Sequence, residues 1–219
     1  GRTLTLPTSE GSPLPRRPDD HDHDRSGQPH QLTIAEFTDN YGPAHSGILY
    51  AVQFLEEQVL AAGHKVLLVA PEANGPNPMA GHPRRREIRL PSMPIPGMNV
   101  RLSMGQDFDY RLAQMVANPP DVIHTHGLGP IGLLGMWVAE RTGRPLVLTW
   151  HTDFEAYADH YWHIAPFLNA AFKVHELHHA ESTWAEIKKL RVKRPRRGGA
   201  QVELLQLASR MLTDADLVT

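Results

Sequence analysis

Asp121 to Asp153 reads DVIHTHGLGPIGLLGMWVAERTGRPLVLTWHTD, and its residue types dictate strand, glycine turn, helix, strand. Asp121 to His126 is a β-branched and apolar run, the mark of a buried strand. Leu128-Gly129-Pro130 breaks it. Pro130 suits the first helical position, where no backbone N–H is needed. Gly143 ends the helix as a C′ glycine. Leu146 to Trp150 is the next strand, and it too runs into a histidine, His151. Parallel strands joined by a right-handed helical crossover bring their C-terminal ends to one edge of a sheet. Open α/β sheets bind ligands at that edge. His124, His126, His151, Thr152 and Asp153 are therefore expected along one rim.

His124 and His126 are two residues apart, so both point to the same face of the strand. His126 comes last and is the better placed to reach a ligand. Any one of these histidines could simply bond a loop carbonyl; the set, flanked by glycines, points to a site. Gly132, Gly135 and Ala139 lie on one side of the helix at helical spacing. Small residues there let the helix lie close to the sheet.

Upstream, Leu32 to Phe37 reads as the first strand. Thr38 to Gly47 (TDNYGPAHSG) is a loop of turn formers, with Ser46 as the N-cap of the helix that follows. Ile48, Val52, Leu55 and Val59 are expected on its inner face, and it ends near Gly63. Lys65 to Ala70 (KVLLVA) is the second strand. The loop brings glycine to a helix N-terminus, where an anion is welcome. It is neither GxGxxG nor a P-loop, which weakens a dehydrogenase or ATPase reading. Glu87 to Leu90 is a short third strand, Arg84-Arg85-Arg86 before it a solvated or anion-facing run, and Pro91 to Gly97 a loop. Asp107 to Ala117 is an amphipathic helix with Phe108, Leu112, Met115 and Val116 inward.

The flanks differ from this centre. Residues 1 to about 30 are rich in proline, serine, glycine and charge, and read as a disordered tail. Its His21-Asp22-His23-Asp24 is a weak cation motif at best. Phe154 to about Leu190 reads as helical. Lys188 to Arg197 (KKLRVKRPRR) has seven basic residues in ten, followed by Gly198-Gly199. That flexible basic loop, around 188–199, is either a solvated surface or a dock for an anionic membrane, at roughly 1 kcal/mol per basic residue. Val202 to Leu212 reads as a helix and Ala215 to Thr219 as the start of a strand.

Composition narrows the class. The 219 residues are 41% hydrophobic, enough for a real core, yet hold no apolar run of about 20 residues. The polar N-terminus has no signal-peptide h-region. With no cysteine there are no disulfides, thiolate nucleophiles or Cys-type zinc sites, which fits a cytoplasmic protein. The net charge of −2 gives no general pull toward nucleic acid.

Four segments together resemble a known family. They are TDNYGPAHSGI (Thr38 to Ile48), AAGHKVLLVAP (Ala61 to Pro71), PDVIHTHGLGPIGLLG (Pro120 to Gly135) and TWHTDFEAY (Thr149 to Tyr157). In this order and spacing they look like the N-terminal half of family 4 retaining glycosyltransferases. The resemblance covers about residues 31 to 160 and the closing ADLVT. It implies an α/β, Rossmann-like parallel sheet with helices on both faces, one half of a GT-B fold whose C-terminal domain is absent. It implies transfer of a sugar from a nucleotide-sugar donor to an acceptor hydroxyl with retention. Its closest flavour is the branch that acts on lipids. No cofactor is implied beyond the nucleotide sugar, and usually no metal.

Residue by residue, the resemblance places Ser46 and Gly47 at the donor diphosphate and His126 at the donor sugar, as the catalytic position. It places Asp39, Tyr41, His151, Thr152 and Asp153 on the acceptor side. Ser46 stands where the family usually has asparagine. The implied partners are the nucleotide sugar, the acceptor, a C-terminal domain in cis or in trans, and a peripheral anionic membrane; nucleic acid is not among them. A non-catalytic Rossmann-like module that supports a separate glycosyltransferase subunit is the alternative reading. Deletion of residues 1–30 is expected to leave the melting temperature nearly unchanged; a large fall would show that the tail is part of the fold.

Overall fold

The computed structural model describes residues 30–42, 46–72, 77–94, 101–103, 107–151, 212 and 214–219. The chain divides into two compact units, Gly1–His30 and Gln31–Thr219, and every described strand and helix belongs to the second. The proline-rich tail, the helix expected over 154–190, the basic run 188–199, Thr152 and Asp153 lie outside the described residues. So does the helix expected over 202–212, apart from Leu212.

Eight strands and three helices are described: β1 (Thr33–Phe37), α1 (Gly47–Ala61), β2 (Lys65–Pro71), β3 (Arg85–Leu90), β4 (Ser92–Pro94), β5 (Arg101–Ser103), α2 (Asp107–Ala117), β6 (Val122–Thr125), α3 (Pro130–Thr142), β7 (Leu146–Leu148) and β8 (Leu217–Val218). Six strands form one sheet in the order β3-β2-β1-β6-β7-β8. Every pairing in it is parallel. The chain winds outward from β1 to β3, then starts again at β6 on the other side of β1. The direction of winding thus reverses between β1 and β6, and the crevice beyond the C-terminal ends of two such strands is the ligand site of open α/β sheets. Aspartates pin two strand starts: Asp121 accepts from the Thr33 amide at 2.7 Å, and Asp216 from the Leu146 amide at 2.8 Å.

Alternation along each strand sorts side chains to two faces. Ala35, Phe37, Val69, Ile123 and Leu146 face α2 and α3, where Leu112, Met115, Ile131, Leu134 and Val138 complete the main core. Leu68 and Ala70 face the opposite way and meet Tyr41, Leu49 and Val52 in a smaller cluster beneath α1. Glu36 and His124 share that second face, because Leu68 is in register with Glu36 and Glu36 with His124.

The elements expected within the described residues are present, and α2 has the predicted bounds. Gly143 closes α3 in the left-handed region at φ 62°, as its place after Thr142 suggests. Three expectations need correction. The buried residues of α1 are Leu49, Val52, Glu56 and Leu60, a stripe turned from the expected Ile48, Val52, Leu55 and Val59. Arg84-Arg85-Arg86 is not simply a solvated run: Arg85 and Arg86 lie in β3. The Arg85 side chain, 3% exposed, bonds Glu56 at 2.8 Å and Glu87 at 2.7 Å. These two facts share a cause. Glu56 receives the Tyr41 hydroxyl at 2.6 Å as well as Arg85, and this buried pairing draws a charged position of α1 inward. Finally, Ser92–Pro94 falls where a loop was expected, yet it pairs antiparallel with Arg101–Ser103.

Helix α3 lies close on the sheet because its inner side is bare. A Cβ on Gly135 would sit 2.7 Å from Thr125 Cγ2 and 2.8 Å from the Phe37 ring. Gly135→Ala gains roughly 1 kcal/mol of helix propensity but overfills the core, which costs about 1–3 kcal/mol. Urea unfolding is expected to show net destabilisation; a more stable variant would mean that α3 can lift off without loss.

Candidate functional site

The site begins with register. Parallel pairing sets Glu36 of β1 beside His124 of β6. One residue past β6, the His126 amide still donates to Phe37 O at 2.8 Å, so His126 is fixed to the end of β1. Gly127 then turns the chain at φ 135°, a conformation open to glycine alone at little cost. On the other side the Thr149 amide donates to Thr125 O at 2.9 Å, which carries β7 alongside as far as His151.

The side chains converge on one carboxylate oxygen. Glu36 Oε2 lies 2.7 Å from His126 Nε2 and 3.0 Å from His124 Nδ1. The other nitrogen of His126, Nδ1, lies 3.0 Å from His151 Nε2. His124 Nε2 lies 2.7 Å from Thr149 Oγ1, which is 2.7 Å from Thr219 Oγ1. The rings of His124 and His126 are tilted with centroids 4.1 Å apart, and those of His126 and His151 are stacked at 5.3 Å. Glu36 is fully buried and His126 nearly so, whereas His151 is only partly covered.

Burial alone would push the Glu36 carboxyl up, and it is the largest single influence. The two imidazole donors and their charge outweigh it and hold Glu36 below the usual carboxylate range. Burial pulls His126 down against the attraction of Glu36. Burial also pulls His151 down, and the neighbouring imidazoles add to the effect. The cluster therefore holds an ionised Glu36 with neutral His126 and His151 at neutral pH.

Glu36, His124 and His126 also offer one ligand atom each within 4.8 Å of one another, a donor set that transition metals accept. Their contacts, however, are direct hydrogen bonds at 2.7 and 3.0 Å, aimed from each imidazole at one oxygen. An ion at about 2.1 Å from each ligand would need Glu36 withdrawn. The arrangement present is a proton-linked cluster.

The residues singled out from sequence have separate fates. His126 and His151 do meet. Ser46 caps α1, its hydroxyl accepting from the Leu49 amide at 3.1 Å. Gly47 opens α1 with nothing within 4 Å of where a Cβ would be. The first turn of α1 carries no acidic side chain, so its N-terminus stays attractive to an anion. Asp39 is turned inward. Its two oxygens accept from the Ile131 and Gly132 amides at 2.8 and 3.2 Å, supplying the cap that Gly129 lacks at the start of α3. Tyr41 is also inside: its hydroxyl donates to Glu56, Arg89 lies 4.8 Å over its ring, and burial raises its pKa. Neither Asp39 nor Tyr41 presents its side chain to the rim. Glu36 was missed, although a glutamate between Ala35 and Phe37 interrupts what should be a continuous apolar run in a buried parallel strand.

The profile of Glycosyltransferase Family 4 matches residues 46–195, a span that contains Gly47, His126 and His151. Alpha-monoglucosyldiacylglycerol synthase of Streptococcus pneumoniae is 30% identical over 130 residues, 59% of this chain and 29% of that protein. GDP-mannose-dependent alpha-mannosyltransferase of Mycolicibacterium smegmatis is 26% identical over 132 residues, 59% of this chain and 35% of that protein. Among solved structures, the glycotransferase of kitacinnamycin is 17% identical with a TM-score of 0.36, covering 66% of this chain and 39% of its own. The chain spans about a third of the length of the curated relatives it matches.

Burial raises the Asp39 carboxyl to about 6 against the pull of the two α3 amides. A raised acid favours the fold while protonated, so that contribution is complete below about pH 4 and lost as pH rises through about 6. Between pH 4 and pH 7 the wild type is expected to lose on the order of 1–3 kcal/mol relative to Asp39→Asn, read by urea unfolding. Parallel stability profiles would place this carboxylate in water.

Proposed function

This chain belongs to glycosyltransferase family 4, and from that premise we propose that it forms the acceptor-side part of an enzyme that moves a sugar from a nucleotide-sugar donor to a hydroxyl with retention. The observation that carries the reading is the meeting of His126 and His151, 3.0 Å apart, at the reversal point of the parallel sheet. Family membership supports reading this cluster as a site rather than as a join between strands.

The two helix N-termini that follow β1 and β6 at this edge are not equivalent. That of α3 is already taken by the Asp39 carboxylate. That of α1 has no acidic neighbour in its first turn and open space at Gly47. A donor diphosphate is therefore directed to α1, where backbone amides and the helix dipole favour negative charge. The acceptor side is assigned to His151, which Thr152 and Asp153 follow in sequence. Catalysis then rests on positioning donor and acceptor and on stabilising the leaving diphosphate. GDP-mannose and a diacylglycerol-based lipid, named in the relatives, are the first donor and acceptor to try. A lipid acceptor implies work at a membrane surface; among the described residues no helix is long and apolar enough to cross one. The rest of the cleft comes from a further domain, in cis or in trans.

The test uses the complete protein, with that domain present, and a panel of nucleotide sugars that includes GDP-mannose. Gly47→Ala meets no protein atom and adds helix propensity, so stability should hold or rise. Only a bound donor would feel the methyl group, and the donor KM is expected to rise about tenfold. An unchanged donor KM would remove Gly47 from the diphosphate site. Binding without transfer, across the whole panel, would favour a non-catalytic module that supports another subunit.

A further inference from the structure

We propose that Glu36 is a positioning residue for the sugar transfer inferred above: acting through His126, it supplies a negative charge that offsets the positive charge building on the donor sugar as its bond to the diphosphate breaks. The proposal rests on that transfer.

Strand order gives the place. In the sheet β1, β6 and β7 are neighbours in that order. The loop after β1 leads to α1, to which the diphosphate is directed, and His151 follows β7 on the acceptor side. The sugar that passes from one to the other belongs between them, at the end of β6, where His126 stands. His126 is held there by its amide on Phe37 O at 2.8 Å and by its ring against His151 at 3.0 Å.

The hydrogens follow from the buried end. An ionised carboxylate has none to give, so Glu36 Oε2 accepts from His126 Nε2 at 2.7 Å and from His124 Nδ1 at 3.0 Å. His126 therefore carries its hydrogen on Nε2, and as a neutral ring its Nδ1 accepts from His151 Nε2. Both nitrogens of His126 are engaged within the protein. While these contacts hold, the ring is neither acid nor base toward a substrate. It transmits the charge of the carboxylate behind it.

That charge survives because of what answers it. Glu56, also buried, meets the Arg85 guanidinium at 2.8 Å, a group that is always positive. Glu36 meets imidazoles, which can donate without bearing charge. Burial holds His126 neutral against the pull of Glu36, so its hydrogen bond satisfies the carboxylate without cancelling it. Glu36 and His126 are 0% and 5% exposed, and little water is present to screen them. A buried charge seldom repays its burial in stability. Set beside a carbon that turns positive, it contributes to rate instead.

In the transfer the bond from the anomeric carbon to the diphosphate oxygen breaks, and its electron pair leaves with the diphosphate. The anomeric carbon and the sugar ring oxygen share the positive charge that results. The acceptor oxygen forms the new bond on the same face, and its proton passes to the departing diphosphate. Glu36 and His126 gain and lose no proton and form no bond to the sugar.

Three measurements test this. In this chain, ¹⁵N spectra of the His126 ring at neutral pH should show Nε2 protonated and Nδ1 bare. A wild-type ring bare at Nε2 would place the hydrogen on Glu36, and a doubly protonated ring would cancel the charge; either overturns the proposal, whether or not any variant folds. In the complete enzyme, Glu36→Gln keeps the shape and removes the charge. It should lower kcat at least tenfold with the donor KM unchanged, and Glu36→Asp should restore part of the rate. The third readout is specific to charge. With the nucleoside diphosphate present, a protonated iminosugar matching the donor should bind Glu36→Gln about tenfold more weakly than wild type, while an uncharged carbasugar of the same shape binds both alike. A lower kcat with equal iminosugar affinity would make Glu36 merely structural, and an unchanged kcat would remove it from the reaction; both leave the transferase reading standing. A wild type that transfers no sugar overturns that reading, and this proposal with it.

Discussion

Glu36 is a carboxylate sealed under a parallel sheet, and the edge of the molecule is arranged around the need to satisfy it. An unpaired charge in that position would cost several kcal/mol. Two imidazoles from the neighbouring strand supply the donors, both to the same oxygen. This fixes more than charge. It fixes the pairing of β1 with β6, since a slip by one residue would swing His124 and His126 to the opposite face. It also fixes the orientation of His126, and through it His151.

The opposite face of the sheet solves a different problem. There the core is continuous and apolar, and α3 must come close enough to seal it. Gly132 and Gly135 permit the approach. The start of α3 is capped from a distance by Asp39, which sits in the loop after β1. Asp39 thus ties the β1 loop to the helix that follows β6, across the point where the sheet reverses. That helix terminus is thus neutralised from within, whereas the first turn of α1 carries no acidic side chain. A second buried network, Tyr41–Glu56–Arg85–Glu87, anchors the same loop to α1 and β3. The described part of the loop after β1 is therefore held by two buried polar networks.

The elements were largely legible because they follow from local rules. Periodicity, Pro130 at a helix start, Gly143 at a helix end and Ser46 as an N-cap all depend on residues within a few positions of one another. The meeting of His126 and His151 was legible too, because it follows from parallel pairing and a crossover of known hand. The inner face of α1 was not, since Glu56 is buried only by virtue of Tyr41 and Arg85, 15 and 29 residues away in sequence. Asp39 and Tyr41 were expected at the rim from their place in a motif, and their partners turned them inward.

By itself the sequence determined most of the described strands and helices, the sheet edge to which His126 and His151 are delivered, and the family. Those properties are written in spacing, which a chain carries without folding. Tertiary structure decided which polar groups are satisfied by which partners. Glu36 and His126 are 90 residues apart, and Asp39 and Ile131 are 92. Only the packed sheet excludes water from both contacts, and without water each buried charge must be answered by whatever group the register brings beside it.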